Sequence, residues 1–124
     1  IIGGWISSHF GHRFDPFTGR NSFHGGVDFA APPGTRIIAT APGVVTYSGY
    51  KDGYGYVVEV THPTGYLTRY GHNARNLVRE GATVQKGDAI AVIGSTGRST
   101  GTHVHFEVER AGSKQNPMRF LSEP

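Results

Sequence analysis

Gly101-Thr102-His103-Val104-His105-Phe106-Glu107-Val108-Glu109 decides the fold. Successive side chains of a β-strand point to opposite faces. Val104, Phe106 and Val108 therefore line one face, and His103, His105, Glu107 and Glu109 the other. The apolar face reads as core. The second face carries two imidazoles one pleat repeat apart, roughly 7 Å along the backbone. Two histidines so placed can reach one small object above the sheet, and a metal ion with its water is the natural candidate. The alternative is a solvated face with two unrelated histidines. Glu107 and Glu109 are expected to be solvated, with orientation of a ligand imidazole as their alternative role.

Working outward, the remaining chain supports many short strands. It has 124 residues, enough for one domain with its own β core. Nineteen glycines favour tight turns and disfavour long helices. Hydrophobic residues at 36% and charged residues at 17% describe a folded chain. The absence of cysteine excludes a disulfide scaffold, a thiol nucleophile and thiolate ligands. No apolar run approaches the roughly 20 residues of a membrane span. A net charge of +3 suits an anionic partner such as cell wall. Nucleic acid is not expected, because no dense Lys/Arg cluster interleaves with aromatic residues. Ile1 is expected to lie inside a longer protein.

Residues 1–23 read as irregular, with turns at Asp15-Pro16 and Thr18-Gly19. Strands are expected at Val27–Ala30, Thr35–Thr40, Gly43–Tyr47, Tyr56–Thr61, Tyr66–Tyr70 and Ala89–Ile93. Asn73–Glu80 is the only segment expected to form a helical turn or two. The fold class is thus all-β: a single-domain antiparallel sandwich or barrel-like body with one groove and little helix.

His24 and Asp28 are four residues apart, but Gly25-Gly26 between them argues against a helix. A tight loop entering Val27–Ala30 can bring both inward. His72 closes Thr68-Arg69-Tyr70-Gly71-His72 and faces the same groove if its strand borders the opening one. A His/Asp/His set fits Zn²⁺ with three protein ligands and leaves a fourth position for water. Two imidazoles then remain for proton transfer or oxyanion stabilisation. Spacing does not choose which of His103 and His105 is the ligand.

The order His-x-x-x-Asp, Thr-x-Tyr-x-His, Ser-Thr-Gly-x-His-x-His-Phe-Glu resembles the M23 (lysostaphin/LytM-type) zinc metallopeptidases. Ala31-Pro32-Pro33-Gly34-Thr35, Val84-Gln85-Lys86-Gly87-Asp88 and Phe10-Gly11-His12-Arg13 extend the resemblance over nearly the whole chain, 1–124. The resemblance implies a LytM-like duplicated hybrid motif. It implies one Zn²⁺ per chain on His24, Asp28 and His105, with His72 and His103 as the catalytic pair. It also implies a bacterial, extracytoplasmic endopeptidase acting on peptidoglycan peptides. A pro-segment or regulatory partner would lie outside this stretch. Two departures are visible: Asn73 stands where leucine is usual, altering the packing expected beside His72, and Thr102 where proline is common.

Two other functions fit parts of the pattern. One is a non-catalytic LytM-type activator of other wall hydrolases, although such domains usually lack the ligands present here. The other is a histidine phosphocarrier, which does not need Asp28. No His-Glu-x-x-His helix, Lys-Ser/Thr phosphate loop or Gly-x-Ser-x-Gly elbow is present. The glycine-rich Ser95–Gly101 is expected to wall one end of the groove. His9, His12 and His62 are expected to be surface or structural residues. Tyr47, Tyr50, Tyr54 and Tyr56 suggest a loop over the groove, touching substrate or packing within a hairpin.

Overall fold

The computed structural model describes residues 5–8, 11–15, 20–24, 26–94 and 103–116, with side chains at 26, 28–94 and 104–116. Among the described residues twelve strands follow one another: β1 (Trp5–Ser8), β2 (Gly11–Asp15), β3 (Arg20–His24), β4 (Val27–Ala30), β5 (Arg36–Ile38) and β6 (Gly43–Lys51). Then come β7 (Gly55–Thr61), β8 (Tyr66–Asn76), β9 (Thr83–Val84), β10 (Ala89–Ile93), β11 (His103–Arg110) and β12 (Ser113–Gln115). No helix occurs among the described residues. The all-β antiparallel class read from the sequence is the architecture observed.

The main sheet runs β1-β4-β11-β8-β7-β6-β9, with β12 on β11 and β10 bridging β8 to β5. Strands β2 and β3 form a separate pair. Two expectations are corrected here. Of the stretch 1–23, the described residues 5–8, 11–15 and 20–23 are not irregular: β1 pairs with β4 (Trp5↔Ala30) and β2 with β3 (Gly11↔His24). Partners rather than a strong local pattern make these strands. Nor is Asn73–Glu80 helical, because Asn73–Asn76 continues β8 and pairs with β10 (Ala91↔Asn76, Ile93↔Asn73).

Strand β8 has two successive neighbours. Tyr66–Gly71 pairs with β11, whereas Asn73–Asn76 pairs with β10. His72 is the residue between, and its φ of 63° marks the bend. Asn73 is fully buried there; its amide donates to the Tyr70 carbonyl (3.0 Å) and to Asn76 Oδ1 (2.9 Å). Hydrogen bonding thus replaces the apolar packing that a leucine would supply.

The core lies on one face of the sheet, where Val58, Val60, Tyr70, Val104, Phe106 and Val108 are fully buried. Phe106 packs against Tyr70 and Phe29, with ring centroids 5.3 and 6.4 Å away. Burying a side chain of that size contributes about 2–3 kcal/mol. The Tyr70 hydroxyl accepts from the Thr40 amide (3.2 Å) and shares a hydrogen bond with Thr68 (2.9 Å). Thr68 in turn meets His62 Nε2 at 2.8 Å. His62 is therefore structural, as one branch of its reading had it.

Candidate metal centre

The opposite face of the same strands carries the chemistry. Antiparallel register sets His105 opposite Asp28 on β4 and opposite Gly71 on β8. The His105 Nδ1–Asp28 Oδ1 distance is 2.6 Å, and His105 Nε2 lies 2.8 Å from Glu107 Oε2. Burial works against a cation here, but the bonds to Asp28 and Glu107 outweigh it and lift the His105 pKa to about 9. The imidazole is thus an imidazolium near neutrality, donating from both nitrogens.

Gly26 makes this close packing feasible. A Cβ there would collide with the Phe106 carbonyl oxygen and stand 2.8 Å from Glu107 Cγ and 3.0 Å from His105 Cε1. Beside His105 lies the His72 ring, 5.9 Å between centroids. His72 is 8% exposed, and its amide donates to the Tyr54 carbonyl at 2.6 Å. The structure therefore sets Asp28 against His105 and the His72 ring beside His105. His24 ends β3, two residues before Gly26, and His103 pairs with Ala30 on β4. The side chains of His24 and His103, like those of His9 and His12 and the loop 95–101, lie outside the described residues.

Glu107 is not on a solvated strand face; it is 2% exposed. Arg69, its register partner on β8, donates to Glu107 Oε1 at 2.6 Å, the Tyr54 hydroxyl reaches both carboxylate oxygens at 3.0 Å, and Lys114 adds a contact at 3.3 Å. Burial opposes the charge, but His105 and then Arg69 prevail and hold the carboxyl at about 2. Arg69 also pairs with Glu109 and, at 2.9 Å, with Glu59 on β7, which Lys51 meets at 2.7 Å. The sequence reading missed Arg69, Tyr54 and Glu59 as members of this cluster. A signal was present: Glu59 interrupts the valines of β7, and buried charges are kept only when paired.

The four tyrosines divide. Tyr54 turns toward His105, with ring centroids 6.1 Å apart. Tyr50 and Tyr56 pack edge to face across the β6–β7 hairpin at 5.4 Å. The hairpin-packing branch of their reading holds for that pair.

Asp28 and His105 offer an anionic oxygen and an imidazole nitrogen facing one another, and a buried carboxylate fixes the imidazole from behind. This donor chemistry suits a divalent cation. Among the described residues, no group of three or more His, Asp or Glu side chains is placed to hold a metal ion; the side chain of His24, the third expected donor, lies outside them.

The profile of peptidase family M23 matches residues 22–117. The chain is 44% identical over 113 residues to the DD-carboxypeptidase/endopeptidase Mpg of Neisseria meningitidis, covering 91% of this chain and 26% of that protein. It is 39% identical over 121 residues to the murein hydrolase activator NlpD of Salmonella dublin, covering 97% and 32%. The structure superposes on a zinc containing peptidase from Vibrio cholerae with a TM-score of 0.86 at 38% identity, covering 93% and 36%. The chain thus spans about a quarter to a third of the relatives' lengths.

Proposed function

The chain belongs to peptidase family M23, and from that premise we propose that it is a zinc-dependent endopeptidase cutting peptide bonds in peptidoglycan stem or cross-link peptides. The observation that carries this reading is the Asp28–His105 pair at 2.6 Å with the His72 ring beside it. His24, Asp28 and His105 would hold one Zn²⁺. When bound, the ion supplies Lewis acidity toward a peptide carbonyl and lowers the pKa of a water. Glu107 keeps the His105 ring in one orientation by accepting a hydrogen bond from its Nε2–H, so that Nδ1 is the nitrogen left for ligation. His72 and His103 are the proton-transfer pair: one imidazole takes a proton from the attacking water and returns it to the leaving amine. The other donates to the oxyanion developing on the substrate carbonyl.

The substrate class and a bacterial cell-envelope or secreted setting rest on similarity to a DD-carboxypeptidase/endopeptidase and to a protein named for murein hydrolase activation, and on the net charge of +3. No helix among the described residues is long and apolar enough to cross a membrane. A pro-segment or regulatory partner beyond these residues belongs to the same reading. Similarity to NlpD favours one alternative, a non-catalytic activator of other wall hydrolases. One experiment separates them: metal content and muropeptide digestion by the purified chain, with and without chelator. We expect about one zinc per chain, cleavage abolished by chelation, and both lost in Asp28→Ala. Absent or chelator-insensitive cleavage would favour the activator.

A further inference from the structure

Tyr54 occupies a position that its place in a surface hairpin does not explain. It closes the turn after β6, its amide donating to the Lys51 carbonyl at 3.1 Å. From there it reaches both sides of the candidate centre. Its carbonyl accepts the His72 amide at 2.6 Å. His72 has a left-handed φ of 63°, which a side-chain-bearing residue holds only where its surroundings fix it. The Tyr54 hydroxyl donates to both Glu107 oxygens at 3.0 Å, and Glu107 holds His105 Nε2. Burial, then the neighbouring Glu107, raises the phenol pKa, so it remains a donor.

The ring is held from two directions. Gly71 leaves it space: a Cβ there would lie 3.3 Å from Tyr54 Cδ1. The Arg69 guanidinium lies 5.4 Å from the ring centroid. The phenol is thus fixed by packing and aimed by its hydrogen bonds.

We propose that Tyr54 is a positioning residue for both imidazoles of the centre, acting on His72 through its main-chain carbonyl and on His105 through Glu107. The proposal rests on the peptidase reading for its functional meaning but not for its test. Tyr54→Phe keeps the ring and the carbonyl and deletes only the bond to Glu107. Imidazole ¹⁵N spectra of the metal-free protein should shift at His105 and stay unchanged at His72. Tyr54→Gly, which loosens the turn as well, should move both. Zinc dissociation constants from chelator competition should rise about 3–10-fold in Tyr54→Phe, less than the 10–100-fold typical of losing a direct partner of a ligand. Turnover on a wall peptide should fall with KM unchanged. Unaltered His105 resonances together with an unaltered zinc constant would overturn the proposal. If the wild type takes up no zinc, the peptidase reading fails, while the metal-free spectra still decide the role of Tyr54.

Discussion

Gly26 leaves no room for a methyl group. A Cβ there strikes the backbone oxygen of Phe106, and the flanking atoms, Glu107 Cγ at 2.8 Å and His105 Cε1 at 3.0 Å, are themselves fixed. Flexible side-chain ends could retreat from such a contact, but a carbonyl inside the β11 ladder cannot. Gly26→Ala therefore forces β4 away from β11. We expect a loss of about 1–3 kcal/mol, the usual cost of overpacking, read as a lower thermal midpoint. Zinc uptake should weaken in parallel, because Asp28 and His105 sit on the two strands being separated. A wild-type midpoint would show that the inter-strand spacing yields.

Three strands are tied together by one carboxylate. Glu59 on β7 receives Lys51 from β6 and Arg69 from β8 while only 6% exposed. Burial raises its pKa, but the hydrogen bonds from Lys51 and Arg69 prevail and the net shift is downward. A lowered folded-state pKa means stabilisation present above the unfolded value of about 4.5 and lost as pH falls through the folded one. The thermal midpoint should thus decline on the acid side below about pH 4.5. Glu59→Gln should lower the neutral-pH midpoint by the equivalent of about 1–3 kcal/mol, since Arg69 retains Glu107 and Glu109. Its acid decline should be shallower than that of the wild type, and parallel curves would refute the assignment. The same elements show what a sequence discloses. Strand 103–110 was legible because its period of two is strict. Asn73–Asn76 was not, since its strand state comes from pairing with β10, which no local pattern records. Glu107 was read as solvated because alternation assigns a face but does not show that Arg69 and Tyr54 cover it. The pairing of Asp28 with His105 was legible only as a family resemblance, for it depends on β4 lying beside β11 across 77 residues of sequence.

The molecule divides its tasks between the two faces of one sheet. Phe106 and Val108 close the core on one side, while His105 and Glu107, alternating with them, build the candidate centre on the other. Core packing and the buried network of opposed charges are thus built from different residues of the same strands. Chelation should leave the chain folded, with an unchanged far-ultraviolet circular dichroism spectrum at 25 °C. It should nevertheless lower the thermal midpoint, because an ion that binds only the native state stabilises by mass action. At a free zinc concentration about 100 times the dissociation constant, that contribution is about 2.7 kcal/mol. For a chain of this length it corresponds to a shift on the order of 10 °C. Asp28→Ala removes one of the proposed donors and should melt at the same temperature with zinc or with chelator. Loss of the circular dichroism spectrum on chelation would instead mean that the metal organises the fold, and that the two faces are not independent.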